Sequence, residues 1–408
     1  MHIAIIGAGA AGVFAAARAA EAYPSVKITI WEKTATALAK VKVSGGGRCN
    51  VTHACFEPRL LTSYYPRGGK ELLGPFSRFQ PRDTMAWFAK RGVTLKVEND
   101  GRVFPQSDSS QTIIDCLLKE LKERNVNILQ NQKITRIAKE EAKFFLHLAS
   151  GRTEPCDRLL LATGSSPQGH RFAEQLGHTT SASVPSLFTF NVPSSPLLDL
   201  AGVSIEKVSM RLHLENTILT EEGSLLLTHW GFSGPAALKL SAWGARDLFH
   251  CGYHAELIIN WLPQYSSEEL LTYLKGLRKT NACSSLASWS NFPLAKSLWR
   301  RLLETAGLAV EKPLGQLSNQ ELSALANKLQ EDHYRIEGKT TYKQEFVTCG
   351  GVTLAEVNFK TMESRRCPAL FFAGEILDID AITGGFNFQN GWTTGWLAGS
   401  ALAASSSH

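Results

Sequence analysis

Residues 2–12, HIAIIGAGAAG, set the reading of the whole chain. HIAII is a short apolar run rich in β-branched side chains, the pattern of a buried parallel strand. It leads directly into Gly7-Ala8-Gly9-Ala10-Ala11-Gly12, and an alanine-rich stretch follows through Tyr23. A GxGxxG spacing between strand and helix is the dinucleotide-binding signature in its required context. Gly7 allows the tight turn, Gly9 lets backbone approach a pyrophosphate, and Gly12 lets helix and strand pack closely. Ala10 and Ala11 open a helix whose free N–H groups and positive dipole end favour phosphate. The next strand, VKITIWE, ends in Glu32, at the distance where a carboxylate accepts hydrogen bonds from an adenosine ribose. The fold class expected is α/β, with a Rossmann-like nucleotide domain.

Two later stretches favour FAD over NAD. DRLLLATGSSP (157–167) reads as a buried strand ending in Ala162-Thr163-Gly164. CPALFFAGEILDIDAITGGFNFQNGWTTGWLAGSAL (367–402) gives another strand, then Gly374-Glu375, a glycine-rich turn and a helix. A simple NAD domain needs no closing strand and helix at its far end, whereas a flavin domain must return to hold the ribityl chain and ring. Glu375 is suited to accept from ribityl hydroxyls, and Gly384-Gly385 lets backbone lie against the flavin edge. The helix beginning near Asn387-Phe388-Gln389 aims its positive end at the negative charge of a reduced flavin. No motif for covalent flavin attachment is visible, so FAD is expected to bind non-covalently.

The chain has 408 residues, a net charge of +6 and 44% hydrophobic residues, an ordinary globular composition with room for two to three domains. It contains no run of five Lys/Arg, which makes nucleic acid an unlikely partner. The apolar start is too short for a membrane span and has no signal-peptide pattern. Eight scattered cysteines without zinc spacing read as reduced thiols, and the expected location is cytoplasmic.

The motifs together resemble the BaiN/YhiN-like flavoproteins, also called the aminoacetone oxidase family. The resemblance rests on IIGAGAAG, SGGGRCNVTH, GRVFPQSDSS, LLLATGSSPQG, LTHWGFSGPAAL and the block from GGVTLAEVNF to GWLAG, in order along nearly the whole chain. It implies a glutathione-reductase-type FAD domain in two segments, 1–190 and 341–408. An inserted domain, 191–340, lies between them, as a β unit (191–262) and a helical unit (263–340). It implies that 40–50 runs along the flavin, with Ser44, Gly45, Gly46 and Gly47 offering backbone N–H groups. Arg48 then neutralises phosphate or sits beside the ring, and Asn50 bonds the cofactor or holds its own loop. Lys33, Lys40, Ile134, Asp380 and Phe386 complete the expected cofactor contacts. Two departures stand out: Ala39 precedes Lys40 where the family tends to have glycine, and Phe386 stands where it usually has tyrosine.

Cys49 and Cys55 invite comparison with the redox pair of flavin disulfide reductases, but their spacing is one residue too long. A lone thiol at Cys49 is the preferred reading. Asp378, Asp380, His53 and Arg102 have structural explanations as good as catalytic ones, and no acid or base is assigned. In the insert, a turn is expected at Glu222-Gly223, and Ser266/Glu269 and Ser318/Glu321 have capping-box spacing. Trp230 and Phe232 are candidates to stack on a planar substrate. Ser109 is expected to cap the helix that follows it.

The expected activity is flavin hydride transfer on a small organic substrate, with NAD(P)H as a transient electron donor because no second GxGxxG unit is present. An RNA-modifying flavoprotein and a flavin-loaded sensor are the alternatives. Oligomeric state is left open.

Overall fold

The strand His2–Ile6 lies inside a seven-stranded sheet with a parallel neighbour on each side, as its unbroken apolar run requires. A computed structural model describes residues 1–288, 292–340 and 347–404. They fall into two units: Met1–Val184 with Lys343–His408, and Pro185–Tyr342. The point at which the chain was expected to return, near 341, lies beside the undescribed residues 341–346.

In the first unit, His2–Ile6 lies parallel to Lys27–Trp31 on one side and to Arg158–Leu161 on the other. Leu370–Phe372 extends the parallel sheet beyond Arg158–Leu161, and Asn127–Leu129 extends it beyond Lys27–Trp31. Two short antiparallel strands, Glu363–Ser364 and Val357–Asn358, finish one edge. Two smaller antiparallel sheets complete the unit. One joins Ile134–Glu140, Lys143–Leu148 and Thr153–Cys156. The other pairs Thr52–His53 with Arg102–Pro105, and so brings GRVFP beside the SGGGRCNVTH segment.

The first helix, Ala10–Ala22, and the closing helix, Phe386–Leu402, pack at backbone distance. A Cβ on Gly395 would lie 2.7 Å from the Ala11 carbonyl oxygen, and one on Gly399 2.4 Å from that of Ala15. Gly391 faces Ala10 and Ala11 in the same row. Residues four apart share a helix face, so this glycine row is a groove for the alanine ridge of the first helix. Rising numbers on one helix meet rising numbers on the other. The two helices therefore run parallel, with their N-termini at the same end.

The second unit is a seven-stranded sheet covered by helices around one core. Its strands run in the order Asp332–Glu337, His254–Asn260, Ser204–His213, Ile218–Thr228, Gly231–Ser233, Thr189–Asn191, Lys339–Thr340. The strand Asp332–Glu337 follows the helices and pairs with His254–Asn260. Trp261, Trp299, Leu302 and Leu325 share one core with the sheet residues Met210, Leu257 and Ile336. The insert is thus one folding unit, not a β unit followed by a helical unit. The expected turn at Glu222-Gly223 is also corrected. The hairpin turns between His213 and Ile218, where Asn216 supplies turn chemistry, and Gly223 lies inside the second strand beside a register shift. Among the described residues no helix is long and apolar enough to cross a membrane.

Candidate functional site

The three glycines of the opening motif do different work. Gly7 has φ +107°, and a Cβ there would meet the Ala162 carbonyl oxygen at 2.4 Å. A Cβ on Gly12 would meet the Gly7 carbonyl oxygen at 2.1 Å. Packing explains both. Gly9 has an extended φ of −86°, and a Cβ on it would meet nothing within 4 Å. The protein itself leaves room there, directly before the first helix. That helix has no side-chain cap and no acid in its first turn. The closing helix also begins without a side-chain cap or an early acid, after Gly385 at φ +93°. Two uncapped helix ends at the same end of a packed pair make a cradle for a dinucleotide's phosphates. The residues present therefore fit FAD.

Around this cradle lie most of the expected contacts. Glu32 lines a recess with Gly7, Trp31, Lys33, Ile134, Thr163 and Gly169. Its carboxylate accepts from the Ala8 N–H at 3.0 Å and from Thr34 N–H and Oγ1, which fixes its position at the strand end. The Trp31 indole N–H on this wall is buried without a hydrogen-bond partner among the described residues. Gly164 sits at φ +59° after the Ala162-Thr163 strand end, facing Glu375. Lys40 Nζ donates to Glu375 at 2.7 Å, which joins the 39–47 segment to the Gly374 turn. Gly374 is held by a bond from its N–H to Thr394 Oγ1 and abuts Ala11.

The SGGGRCN loop is built from left-handed glycines: Gly45, Gly46 and Gly47 have φ of +57°, +66° and +83°. Cβ atoms on Gly46 and Gly47 would again meet nothing, so backbone geometry and open space, not packing, require glycine there. Ser44 Oγ donates to Val41 O. Arg48 ion-pairs with Glu98 at 2.7 Å and Asp108 at 3.4 Å and lies over the Phe104 ring. Its charge is taken up within the protein. Asn50 holds its own loop and the next one: its amide donates to the Val103 and Thr52 carbonyls and accepts from the Gly385 N–H.

Cys49 is buried, with φ +62°, and desolvation pushes its thiol up to about 12. Cys49 and Cys55 are both free. The burial of Cys49 disfavours the thiolate that redox chemistry needs. Asp380 is buried and forms a bidentate ion pair with Arg67, while Asp378 accepts from Gly350 N–H and Ser181 Oγ. Arg102 ion-pairs with Asp100 and Glu98. Asn387 bonds both polar groups of Ala381, Phe388 stacks on Trp392, and Gln389 joins Thr52, Thr84 and Thr393 inside the core. These last three fasten the closing helix. In the second unit Phe232 is a core ring against Tyr334, not a free stacking platform, while Trp230 is exposed.

One feature escaped the sequence reading. Phe386 packs on His53 (centroids 4.7 Å apart, tilted by 22°) and on Tyr64 (4.4 Å, 19°), and those two rings lie 6.0 Å from each other, so the three form one ring cluster. The Tyr65 hydroxyl donates to the Phe386 carbonyl at 2.6 Å.

Comparison with known proteins gives the family. Residues 1–401 match the family model described as the HI0933-like protein Rossmann domain. The chain is 33% identical to the ribosomal RNA dihydrouridine synthase of Escherichia coli, covering 99% of this chain and 98% of that one. It is 28% identical to the 3-dehydro-bile acid delta(4,6)-reductase of Clostridium scindens, covering 98% and 99%. Among solved structures, the 3-ketosteroid-delta4-(5alpha)-dehydrogenase of Rhodococcus jostii shares the fold, with a TM-score of 0.53 at 14% identity over 99% of this chain and 96% of that one.

Proposed function

The chain belongs to the HI0933-like family of FAD-dependent oxidoreductases, and we propose that it reduces a carbon–carbon double bond conjugated to a carbonyl. The supporting observation is the Gly9 cradle, where two parallel helix ends lie open to an anionic dinucleotide. Bound FAD supplies two-electron chemistry as a hydride. The protein's own residues hold and orient it. Gly7–Gly12 and the first helix receive phosphate, Glu32 faces the adenosine end, and the Lys40–Glu375 pair borders the ribityl path. The closing helix end favours the anionic reduced state.

The choice of bond comes from the relatives. The bile-acid enzyme by its name acts on double bonds conjugated to a ring ketone, and dihydrouridine arises by saturating a ring double bond conjugated to a carbonyl. Both are the same chemistry on different substrates. A small conjugated ketone is the leading substrate class, with NAD(P)H as the transient hydride source.

A specific surface favours uridine in RNA as the second reading. Arg59, Lys70, Arg82 and Lys90 are exposed, with no carboxylate partner among the described residues, and Arg82 lies over the exposed ring of Phe56. An exposed cation over an exposed aromatic ring, as Arg82 lies over Phe56, suits a nucleic-acid strand. This surface is on the first unit, not on the insert, where a basic face was looked for.

The test is anaerobic. FAD-loaded protein is reduced with NADPH and mixed with 4-androstene-3,17-dione or with a uridine-containing ribosomal RNA fragment, following the oxidised-flavin band near ~450 nm. Recovery of the band with either acceptor supports the bond class and names the substrate. No recovery with either, while oxygen reoxidises the flavin, sinks the proposal. Failure of NADPH to bleach the band, where dithionite succeeds, removes only the donor.

A further inference from the structure

Saturating a conjugated double bond takes a hydride at the β-carbon and a proton at the α-carbon. We propose that the hydroxyl of Tyr64 delivers that proton. The inference rests on the function proposed above and adds a residue to it.

The geometry starts from the ring stack. Phe386 opens the closing helix immediately after Gly384-Gly385, the pair expected against the flavin edge. A Cβ on Gly384 would lie 2.7 Å from the Phe386 ring and 3.5 Å from His53, and one on Gly385 2.5 Å from the Thr52 carbonyl oxygen. The stack is therefore clamped between the closing turn and the segment that follows SGGGRCN. Tyr64 stacks on Phe386 with centroids 4.4 Å apart and a tilt of 19°, and its ring lies 6.0 Å from that of His53. Its backbone is fixed as well, because its carbonyl accepts from the Ile382 N–H.

Four titratable groups gather here, and three are spent: the Tyr65 hydroxyl already donates to the Phe386 carbonyl. His53 Nε2 donates to the Asp100 carbonyl at 3.1 Å, so in the neutral ring its other nitrogen, buried and without a partner among the described residues, carries no proton. Burial also holds the imidazole below its usual range. The Cys55 thiol is buried and turned to the Glu57 carbonyl. Tyr64 is only part-buried, and its hydroxyl has no hydrogen-bond partner among the described residues. Burial, with Cys55 nearby, raises its pKa, so the phenol stays protonated through neutral pH. It is the one group at the stack with a proton free to give.

The step balances. The β-carbon gains the hydride that reduced FAD supplies, and the double-bond pair passes to the α-carbon. That carbon takes the Tyr64 proton, and the phenolate regains one from water. The flavin is left oxidised, and the hydride donor restores it.

Tyr64→Phe keeps the stacking ring and removes only the hydroxyl. The experiment reduces FAD-loaded wild-type and variant proteins, then measures flavin reoxidation in a single turnover by cyclohex-2-enone and by ferricyanide, which takes electrons without protonating carbon. General acids contribute ~100-fold or more. The expected result is a loss of at least ~100-fold with the enone, unchanged rates with ferricyanide, and an unchanged flavin spectrum. The wild-type enone rate falls as pH rises through the raised tyrosine pKa, and the variant shows no such fall. Equal enone rates in the two proteins, or equal losses with both acceptors, overturn the assignment. A wild-type protein inert to the enone, to 4-androstene-3,17-dione and to the RNA fragment overturns the proposed function itself, and the assignment falls with it.

Discussion

Two pairs of helices, one pair in each unit, begin in opposite ways. In the second unit, Ser267–Thr280 and Asn319–Gln330 start with complete capping boxes: Ser266 with Glu269, and Ser318 with Glu321, each bonding the other's backbone N–H. Their free donors are satisfied from within, and their first turns carry their own negative charge. In the first unit, Ala10–Ala22 and Phe386–Leu402 start after glycine, with no cap and no acid. The physical demand at a helix start is the same in both places. One pair meets it with side chains, and the other leaves it for a ligand's phosphates. An open start alone does not mark a binding helix, since Pro235–Trp243 and Lys296–Thr305 in the second unit also begin without a side-chain cap or an early acid; the first-unit pair differs in packing side by side with both open starts at the same end.

Turning a binding helix into a capped one gives the largest effect. Gly9 is extended and has empty space around its Cβ, so Gly9→Asp fits without a clash. Aspartate is a preferred N-cap, and the apo protein is expected to hold its stability or gain a few tenths of a kcal/mol. The same carboxylate occupies the phosphate position with like charge, which costs several kcal/mol. FAD affinity is expected to fall at least ~100-fold in a fluorescence titration, with no loss of apo Tm. A variant that binds FAD normally removes the first helix end from the cofactor site.

The converse change is smaller. Ser318→Ala removes the cap of Asn319–Gln330, which costs about 1 kcal/mol. In a unit of this size that lowers Tm by about 2–4 °C. FAD affinity is expected to stay unchanged. A weakened FAD complex would show that this capped helix also serves binding and would erase the contrast.

These starts were legible because they are local. GxGxxG after a strand, and Ser-x-x-Glu before an apolar run, need only neighbours in sequence. The glycine row 391–395–399 was present as a four-residue spacing, but its meaning depends on Ala11 and Ala15 at the other end of the chain. The His53–Phe386–Tyr64 stack joins segments more than 300 residues apart in sequence, and nothing local marks it. Arg48 shows the reverse failure. Its place in a phosphate-like loop suggested a ligand contact, but Glu98 and Asp108 come to it through strand pairing that the sequence does not announce.

The smallest effect isolates charge from hydrogen bonding at a capped start. Glu321 accepts from Lys312 Nζ at 2.7 Å and from the Ser318 N–H at 2.8 Å, and its pKa is lowered to about 2. The Lys312 bond is the larger cause, followed by Ser318. In the unfolded chain a glutamate titrates near ~4.3. A depressed folded pKa means that the folded state binds the proton less readily. The carboxylate's contribution is therefore complete above the unfolded pKa and disappears as pH falls toward about 2. Glu321→Gln keeps an acceptor for the Ser318 N–H but discards the charge. Because the side chain faces solvent, screening keeps the gain modest, and the variant should melt only ~1–2 °C below wild type near pH 6. That gap should close as pH drops toward about 3. A gap that stays constant across this range would mean that the glutamate acts through the shape of its hydrogen bonds alone. The negative charge would then be incidental, and the contrast between the two kinds of helix start would rest on unsatisfied N–H groups, not on the field at the helix end.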